Sequence, residues 1–226
     1  QPDKANIQGE IERAIFNITK EEVDLIGSGR TDAGVHSLGQ VANFKTNSTI
    51  PIEKMAIAIN SQLKNSIVIK EAEEVEERFH SRYNAKQKTY RYIINNSKYG
   101  TAIYRNLEYS FPYKLNVKKM KEAAKYFEGE HDFKAFKASG TSSKSSVRTI
   151  YKAEVKKAEN NRIYIELTGN GFLYNMVRII SGTLVEVGLG KIKPEEIKNI
   201  IESKDRQKAG KTLPAHGLYL MNVNYS

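Results

Sequence analysis

Two kinds of hydrophobic spacing alternate along the chain, and this alternation limits the folds that it can adopt. Residues 6–20 repeat apolar side chains every third or fourth position, as an amphipathic helix does. Residues 88–95 repeat them at every second position, which is typical of a half-buried strand. Because segments of both kinds follow one another from end to end, we predict an α+β fold whose sheet is mostly antiparallel.

The order of the predicted elements indicates a duplication, with one half at residues 1–78 and the other at residues 79–226. Asn6 and Asn116 are predicted helix N-caps, and Asn160-Asn161 is predicted as the turn of a β-hairpin. The predicted helices span residues 6–20, 51–63, 116–127, 172–187 and 194–203, and the predicted strands span residues 23–28, 39–45, 66–71, 88–95, 147–157, 162–168 and 217–224.

Charge and composition narrow the class of partner. The sequence holds 36 Lys and Arg against 26 Asp and Glu, a net charge of +10 at pH 7. This excess favours a polyanionic partner, although solubility alone also explains it. Cysteine is absent, which excludes disulfides, thiolate nucleophiles and cysteine-ligated metals and favours a cytoplasmic location. No apolar run approaches the roughly 18 residues of a membrane-spanning helix, so we expect no membrane association.

The densest chemical signal is the segment GSGRTDAGVH at residues 27–36. Its three glycines frame Arg30 and Asp32 and allow a ligand to approach the backbone closely. Asp32 could therefore serve as a nucleophile, a general base or a metal ligand. The alternative is an Asx-turn, in which its carboxylate binds amides of its own loop. The glycine and lysine spacing of a phosphate-binding P-loop is absent.

A metal site needs further ligands near Asp32. His36 follows four residues later, but on a glycine-bearing loop where helical geometry cannot be assumed. No second histidine or acid lies nearby at metal-type spacing, so we expect no metal.

The second signal is Arg178, which lies among apolar residues in the predicted helix at residues 172–187. A buried guanidinium needs a carboxylate or phosphate partner, unless the side chain reaches past its neighbours to water. If that partner is Asp32, the pair would favour the ionised carboxylate and orient it.

The third signal is an alternation of basic and aromatic residues. It begins at Phe79-His80-Ser81-Arg82 and continues through residues 86–92. Such a pattern suits single-stranded or flipped-base RNA, although a half-exposed edge strand has the same pattern.

Together these segments resemble the tRNA pseudouridine synthase A family, in order and in spacing. The motifs that carry the resemblance are Gly29-Arg30-Thr31-Asp32-Ala33-Gly34-Val35-His36, Gly39-Gln40-Val41, Phe79-x-x-Arg82, Lys88-x-Tyr90-Arg91-Tyr92, Phe172-Leu173-Tyr174-Asn175-Met176-Val177-Arg178 and Gly217-Leu218-Tyr219-Leu220. The family's first strand, with its Gly-Trp-Gln stretch, would precede Gln1 and is missing, so we expect further residues upstream.

The resemblance implies a fold and an activity. The fold would be two ferredoxin-like (RNP-like) halves that share a continuous, mostly antiparallel sheet, with the catalytic aspartate loop in the N-terminal half. The activity would be isomerisation of uridine to pseudouridine at positions 38–40 of the tRNA anticodon stem-loop. The family uses neither a metal nor an organic cofactor, and its members resemble homodimers that bind tRNA across both subunits.

The resemblance also implies three catalytic residues. Asp32 matches the catalytic aspartate, which would attack ribose C1′ or uracil C6 or assist glycal formation. Tyr90 matches the tyrosine that stacks on the uracil and is a candidate for removing the C5 proton. Arg178 matches the basic residue that pairs with the aspartate.

The resemblance also implies which residues contact the substrate. Arg30 matches the arginine that fills the gap left by the flipped base, and Leu218 matches an apolar wall of the uracil pocket. Candidates for phosphate contact are Arg82, Lys86, Lys88, Arg91 and the loop at residues 137–144.

Two other classes of protein remain open at this point. One is an RNA-binding module without chemistry, in which Asp32 is dispensable. The other is a metal-dependent nuclease with Asp32 as a ligand, whose activity a chelator would abolish.

Overall fold

The computed structural model describes residues 6–140 and 145–226. In chain order the elements are α1 (Ile7–Thr19), β1 (Ile26–Gly27), β2 (His36–Ser37), β3 (Ala42–Asn43), α2 (Ile52–Asn60), β4 (Gln87–Asn95), β5 (Tyr109–Ser110), α3 (Val117–Lys125), β6 (Gly129–Asp132), β7 (Val147–Lys157), β8 (Arg162–Gly169), α4 (Met176–Gly188), α5 (Glu196–Ser203) and β9 (Leu218–Asn224), with short 3₁₀ turns at Phe133–Phe136, Arg206–Lys208 and Ala215–Gly217. The predicted mixture of helices and strands is confirmed.

The chain divides into two compact units. The first contains the described residues up to Arg30 together with Val41–Asn84, and the second contains Thr31–Gln40 with the described part of Ala85–Ser226. Asp32 thus belongs to the same unit as Tyr90. The division into halves at residue 78 stays a prediction.

The first unit packs α1 against α2 beside the short antiparallel pair of β1 and β3. Its core consists of Ala14, Ile15, Leu25, Met55 and Ile59. Helix α1 begins after Asn6, as predicted, because the Asn6 side chain accepts a hydrogen bond from the backbone N–H of Gly9.

The strand predicted at residues 66–71 is wrong. The backbone of Ile69 bonds the side chain of Asn60 instead of a neighbouring strand. The Asn60 amide donates to the Ile69 carbonyl at 2.7 Å and accepts from its N–H at 2.7 Å. An amide side chain therefore satisfies both backbone groups that a strand partner would have bound. The strands predicted at residues 23–28 and 39–45 are shorter than expected, with two paired residues each.

The second unit is built on a seven-stranded sheet with the order β2-β9-β4-β8-β7-β6, and β5 pairs with β4. Only β2 on β9 and β5 on β4 are parallel, so the sheet is mostly antiparallel, as predicted. Helices α3 and α4 pack together and contact β7 and β4. Tyr92, Ile94, Ile165 and Leu167 face this core and are fully buried.

Local signals explain two features of this unit. Asn160 and Asn161 connect β7 to β8 with φ of 54° and 57°, the left-handed conformation that a two-residue hairpin turn needs, so the predicted hairpin is confirmed. Helix α4 is buried almost all round, as its apolar sequence predicts. It begins at Met176 rather than at residue 172, because Asn175 has a φ of 61°.

The described residues contain no helix that is both long enough and apolar enough to cross a membrane.

Helix α3 offers a test of local stability. The Asn116 side chain accepts from the backbone N–H of Lys119 at 3.1 Å. We expect Asn116→Ala to lower the free energy of unfolding by about 1 kcal/mol, because this N–H loses its acceptor. Asn116→Ser keeps an acceptor and should cost much less. Urea denaturation measures both, and equal losses in the two variants would contradict the capping role.

Candidate active site

Asp32 lies in a tight turn that leads into β2. The backbone carbonyl of Asp32 accepts from the N–H of Val35 at 3.0 Å. Gly34 has a φ of +84°, a left-handed conformation that strains any residue with a side chain. Strand β2 follows at once and pairs with β9, at the edge of the large sheet. The turn is therefore held by a rigid element rather than by a long loop.

The carboxylate of Asp32 binds the guanidinium of Arg178. Arg178 Nη1 lies 3.2 Å from Asp32 Oδ2, and the two side chains are 16% and 33% exposed. The pairing predicted from the sequence is thus confirmed within the second unit. The partial exposure of Asp32 leaves its carboxylate accessible to a ligand.

Two further acceptors fix the guanidinium of Arg178. Its Nε donates to the carbonyl of Leu213 at 2.7 Å, and its Nη1 also donates to Oδ1 of Asn175 at 2.6 Å. Because the helix that carries Arg178 is buried, these contacts hold the side chain in one orientation. Sequence reasoning missed the role of Asn175, although it precedes Arg178 by three residues, the spacing of helix neighbours.

Tyr90 lies near this pair on β4. Its ring meets the ring of Phe172 edge-on, with centroids 5.2 Å apart. Burial, and secondly the negative charge of Asp32, raise the pKa of Tyr90 to about 12. At neutral pH the side chain is therefore a neutral phenol that can stack or donate a hydrogen bond, and the phenolate that a proton abstraction needs is scarce.

Leu218 shares a face of the sheet with Tyr90. Leu218 pairs with Tyr92 and Leu220 pairs with Tyr90 in the antiparallel ladder between β9 and β4. Leu218 is 7% exposed and belongs to the core of the second unit. Leu218 thus offers an apolar side chain on the face of Tyr90, and its role as a wall of a uracil pocket stays a prediction.

Arg91 points to the opposite face of β4, as alternation along a strand requires. Its Nη2 and Nε bind Oε1 of Glu166 at 2.6 and 2.9 Å. The guanidinium also lies over the ring of Tyr164, 4.7 Å from the centroid. The structure therefore does not bring Arg91 to the face of Tyr90, and its substrate contact stays a prediction.

Arg30 and Arg82 are exposed residues of the first unit. The backbone N–H of Arg82 donates to Nδ1 of His80 at 3.2 Å. Their roles stay predictions. Of the loop predicted to contact phosphate, residues 141–144 lie outside the described residues.

His36 contacts neighbouring residues of the fold through its ring. Its Nε2 is 2.9 Å from the carbonyl of Asn106, and its ring stacks on Tyr219 with centroids 4.7 Å apart. Within residues 6–140 and 145–226, no group of three or more His, Cys, Asp or Glu side chains is placed to hold a metal ion.

An acid oriented by an arginine beside a desolvated phenol is the kind of arrangement found in catalytic centres.

Comparison with known proteins indicates the class of enzyme to which the chain is similar. A family model described as tRNA pseudouridine synthase matches residues 1–84 and 123–226.

Relatives named tRNA pseudouridine synthase A match over the whole chain and 92% of their own length. The chain is 56% identical to the protein of Caldicellulosiruptor saccharolyticus, 53% identical to that of Acetivibrio thermocellus and 45% identical to that of Bacillus subtilis. The chain therefore belongs to the tRNA pseudouridine synthase family.

The raised pKa of Tyr90 makes stability depend on pH at the alkaline end. A tyrosine of the unfolded chain ionises near pH 10, while folded Tyr90 keeps its proton until about pH 12. The contribution of Tyr90 to the free energy of unfolding is complete below pH 10. It is lost as the pH rises from 10 to 12, because the unfolded chain then ionises and the folded chain does not.

We expect the free energy of unfolding to fall more steeply above pH 10 in the wild type than in Tyr90→Phe, by at most about 1.4 kcal/mol per pH unit. Urea denaturation at several alkaline pH values measures the slopes. Tyr83→Phe, at a side chain 78% exposed, is the matched control. Parallel slopes for the wild type and Tyr90→Phe would show that the folded state does not hold this proton.

Proposed function

We propose that this chain isomerises uridine to pseudouridine in tRNA, at positions 38–40 of the anticodon stem-loop. Membership of the family and the names of the relatives support the reaction and the class of substrate. The observation that carries the assignment to residues is the contact of 3.2 Å between Asp32 and Arg178. The non-catalytic RNA-binding module is the alternative that the experiment below decides.

The chemistry needs few groups. The bond between ribose C1′ and uracil N1 breaks, a bond between C1′ and C5 forms, C5 loses a proton and N1 gains one. The product is an isomer of the substrate, so no electrons, water or transferred group are consumed. A positioned nucleophile and a pocket that retains the detached base are sufficient, and we propose that neither a metal nor an organic cofactor takes part.

Asp32 is the proposed nucleophile, with attack at C1′, attack at C6 and assistance to a glycal all consistent with its position. Arg178 orients the carboxylate of Asp32 by the hydrogen bond described above. Tyr90 contributes a neutral phenol whose ring can stack on the uracil, and Leu218 an apolar wall. We propose Arg30 as the residue that fills the place of the flipped base.

Binding of the rest of the tRNA is proposed to use the net charge of +10, through phosphate contacts that include Arg82 and Arg91. We further propose the family's arrangement of two ferredoxin-like halves with a shared sheet, and a cytoplasmic location, which the absence of cysteine supports.

Asp32→Asn tests the assignment. The substrate is tRNA with tritium at C5 of its uridines, because formation of the C1′–C5 bond releases that tritium to water. We expect the wild type to release tritium and Asp32→Asn to release it at least about 10³-fold more slowly, since the nucleophile is lost. Asp32→Asn should still bind tRNA, because phosphate contacts dominate the affinity.

Two controls make this test specific. Asp24→Asn, at an exposed aspartate of the first unit, should release tritium at the wild-type rate. A tRNA with cytidine at positions 38–40 should release none. Tritium release by Asp32→Asn at the wild-type rate would remove Asp32 from the mechanism, and an inactive wild type that still binds tRNA would favour the RNA-binding module.

We also propose that the chain forms a homodimer, and an apolar surface of the second unit supports this. The loop at residues 99–113, hereafter the 99–113 loop, exposes several large apolar side chains. Ile103 is 82% exposed, Tyr99 74% and Tyr113 67%. A concentration of this kind on one loop is characteristic of a protein–protein interface.

The 99–113 loop is anchored to the sheet. Glu108 is 3% exposed and binds Arg162 at 2.6 Å and Asn95 at 2.7 Å. The Tyr219 hydroxyl donates to the carbonyl of Leu107 at 2.7 Å. The exposed side chains are therefore presented by a fixed backbone, which lowers the entropic cost of association.

A second copy of the chain is a partner that suits this surface. The loop carries charges of both signs, Arg105 and Glu108, and Glu108 is paired with Arg162. A patch that holds both signs and exposed apolar groups can complement itself across a twofold axis.

We expect Ile103→Asp to convert a dimer into a monomer, because a carboxylate would be buried in the interface. Light scattering after size-exclusion chromatography measures the mass. Ile57→Asp, at a side chain of α2 that is 71% exposed in the first unit, is the matched control and should stay dimeric. A monomeric wild type would refute the homodimer, and a dimeric Ile103→Asp would place the interface elsewhere.

A further inference from the structure

Residues 209–217, hereafter the 209–217 segment, join the candidate site to Arg206, a half-buried arginine that the mechanism does not use. The segment lies between α5 and β9 in the second unit. Its Leu213 carbonyl accepts from Nε of Arg178 at 2.7 Å, and its Leu213 N–H donates to the carbonyl of Arg178 at 3.3 Å. Both the side chain and the backbone of Arg178 are thus tied to one residue of this segment.

The 209–217 segment also meets the other parts of the site. The carbonyl of Pro214 accepts from the hydroxyl of Tyr92 at 2.7 Å, two residues along β4 from Tyr90. The Cβ of Ala215 lies 3.5 Å from the place that a Cβ on Gly34 would occupy, in the turn that carries the catalytic aspartate. One stretch of irregular backbone therefore contacts all three catalytic elements.

Two glycines let the 209–217 segment lie directly on α4. A Cβ at Gly210 would be 2.5 Å from the N atom of Thr183, and a Cβ at Gly182 would be 1.9 Å from the carbonyl oxygen of Lys211. Gly182 follows Arg178 by one helical turn and so lies on the same face of the helix. The N–H of Gly210 donates to the Thr183 hydroxyl at 2.9 Å, which fixes the contact.

Arg206 precedes this segment in the chain and binds it through hydrogen bonds. Its guanidinium donates to the carbonyls of Ala209 and Gly210 at 3.3 and 2.9 Å and to the hydroxyl of Thr212 at 3.2 Å. All three acceptors are neutral, and burial lowers the pKa of Arg206. Partly burying a guanidinium against neutral acceptors costs free energy, and the three hydrogen bonds fix the geometry of the groups that it holds.

We propose that Arg206 is a positioning residue of the isomerisation. It holds the 209–217 segment on α4, and the Leu213 carbonyl then holds Arg178 in the orientation that binds Asp32. An arginine side chain otherwise samples many rotamers, and a fixed acceptor at Nε removes that freedom. The inference rests on the proposed function, because the orientation of Arg178 matters only if Asp32 reacts.

The test compares tritium release from C5-labelled tRNA by the wild type, Arg206→Gln and Arg206→Lys, at a temperature where thermal melts show all three folded. We expect Arg206→Gln to lower kcat on the order of tenfold, because the Asp32 carboxylate is no longer aligned. KM for tRNA should change by less than about twofold, because phosphate contacts dominate the affinity. Arg206→Lys should recover part of kcat, since an ammonium still donates to the Gly210 carbonyl.

Ser181→Ala is the matched control within α4. The Ser181 hydroxyl is fully buried and donates to the carbonyl of Val177 at 2.8 Å. Its loss weakens the same helix without removing a hydrogen bond to the 209–217 segment. We therefore expect Ser181→Ala to lower Tm and to leave kcat at the wild-type value.

A double-mutant cycle separates positioning from a general loss of stability. If Arg206 acts through Arg178, Arg206→Gln should lower Tm equally in the wild type and in Arg178→Lys. Its effect on the single-turnover rate should be present in the wild type and shrink to less than about twofold in Arg178→Lys, because the group that it positions is gone.

A folded Arg206→Gln with the kcat of the wild type would overturn the proposal, and so would an equal loss of rate in both backgrounds. If neither Arg206 variant folds, Thr212→Val removes one of the three hydrogen bonds and should still lower kcat. An unchanged kcat there would assign Arg206 to stability alone. An inactive wild type would overturn the proposed function, and this inference with it.

Discussion

The geometry of the candidate site depends on the contact between Asp32 and Arg178, which joins a turn to a helix 146 residues further along the chain. The Asp32 side chain is one-third exposed, so the pair is partly screened by water and adds little to stability. The pair instead fixes the orientation of the Asp32 carboxylate. The guanidinium has a second acceptor at its Nε and a third in Asn175, so the direction of the hydrogen bond to the carboxylate is set before any substrate arrives.

Strand β9 brings the parts of this site together. It pairs with β2 on one side and with β4 on the other, so the aspartate turn and Tyr90 reach the same sheet from distant parts of the sequence. Parallel strands need a long crossover connection, and most of the chain lies between β2 and β9. Helices α3 and α4 pack on β7 and β4, and burial together with the charge of Asp32 raises the pKa of Tyr90 and keeps it a neutral phenol.

Some of this architecture follows from local rules. The hairpin turn at Asn160 and Asn161 and the caps at Asn6 and Asn116 were predicted, because each depends on a side chain and its immediate neighbours. The strand predicted at residues 66–71 failed for a non-local reason, since the amide of Asn60 binds the backbone of Ile69. The cost of burying a guanidinium predicted that Arg178 needs a partner, and the family resemblance indicated Asp32 as that partner.

The sequence by itself determined the alternation of helices and strands, the tight glycine-bearing turn at Asp32 and the need of Arg178 for a carboxylate or phosphate partner. These follow from periodicity, backbone conformation and the cost of burying charge, which act within a few residues or on a single group. Only the tertiary structure decided that Arg91 binds Glu166 on the far face of the sheet, and that the 209–217 segment lies on α4. Both depend on which backbones approach one another across the fold, and such contacts leave no periodic signal in the chain.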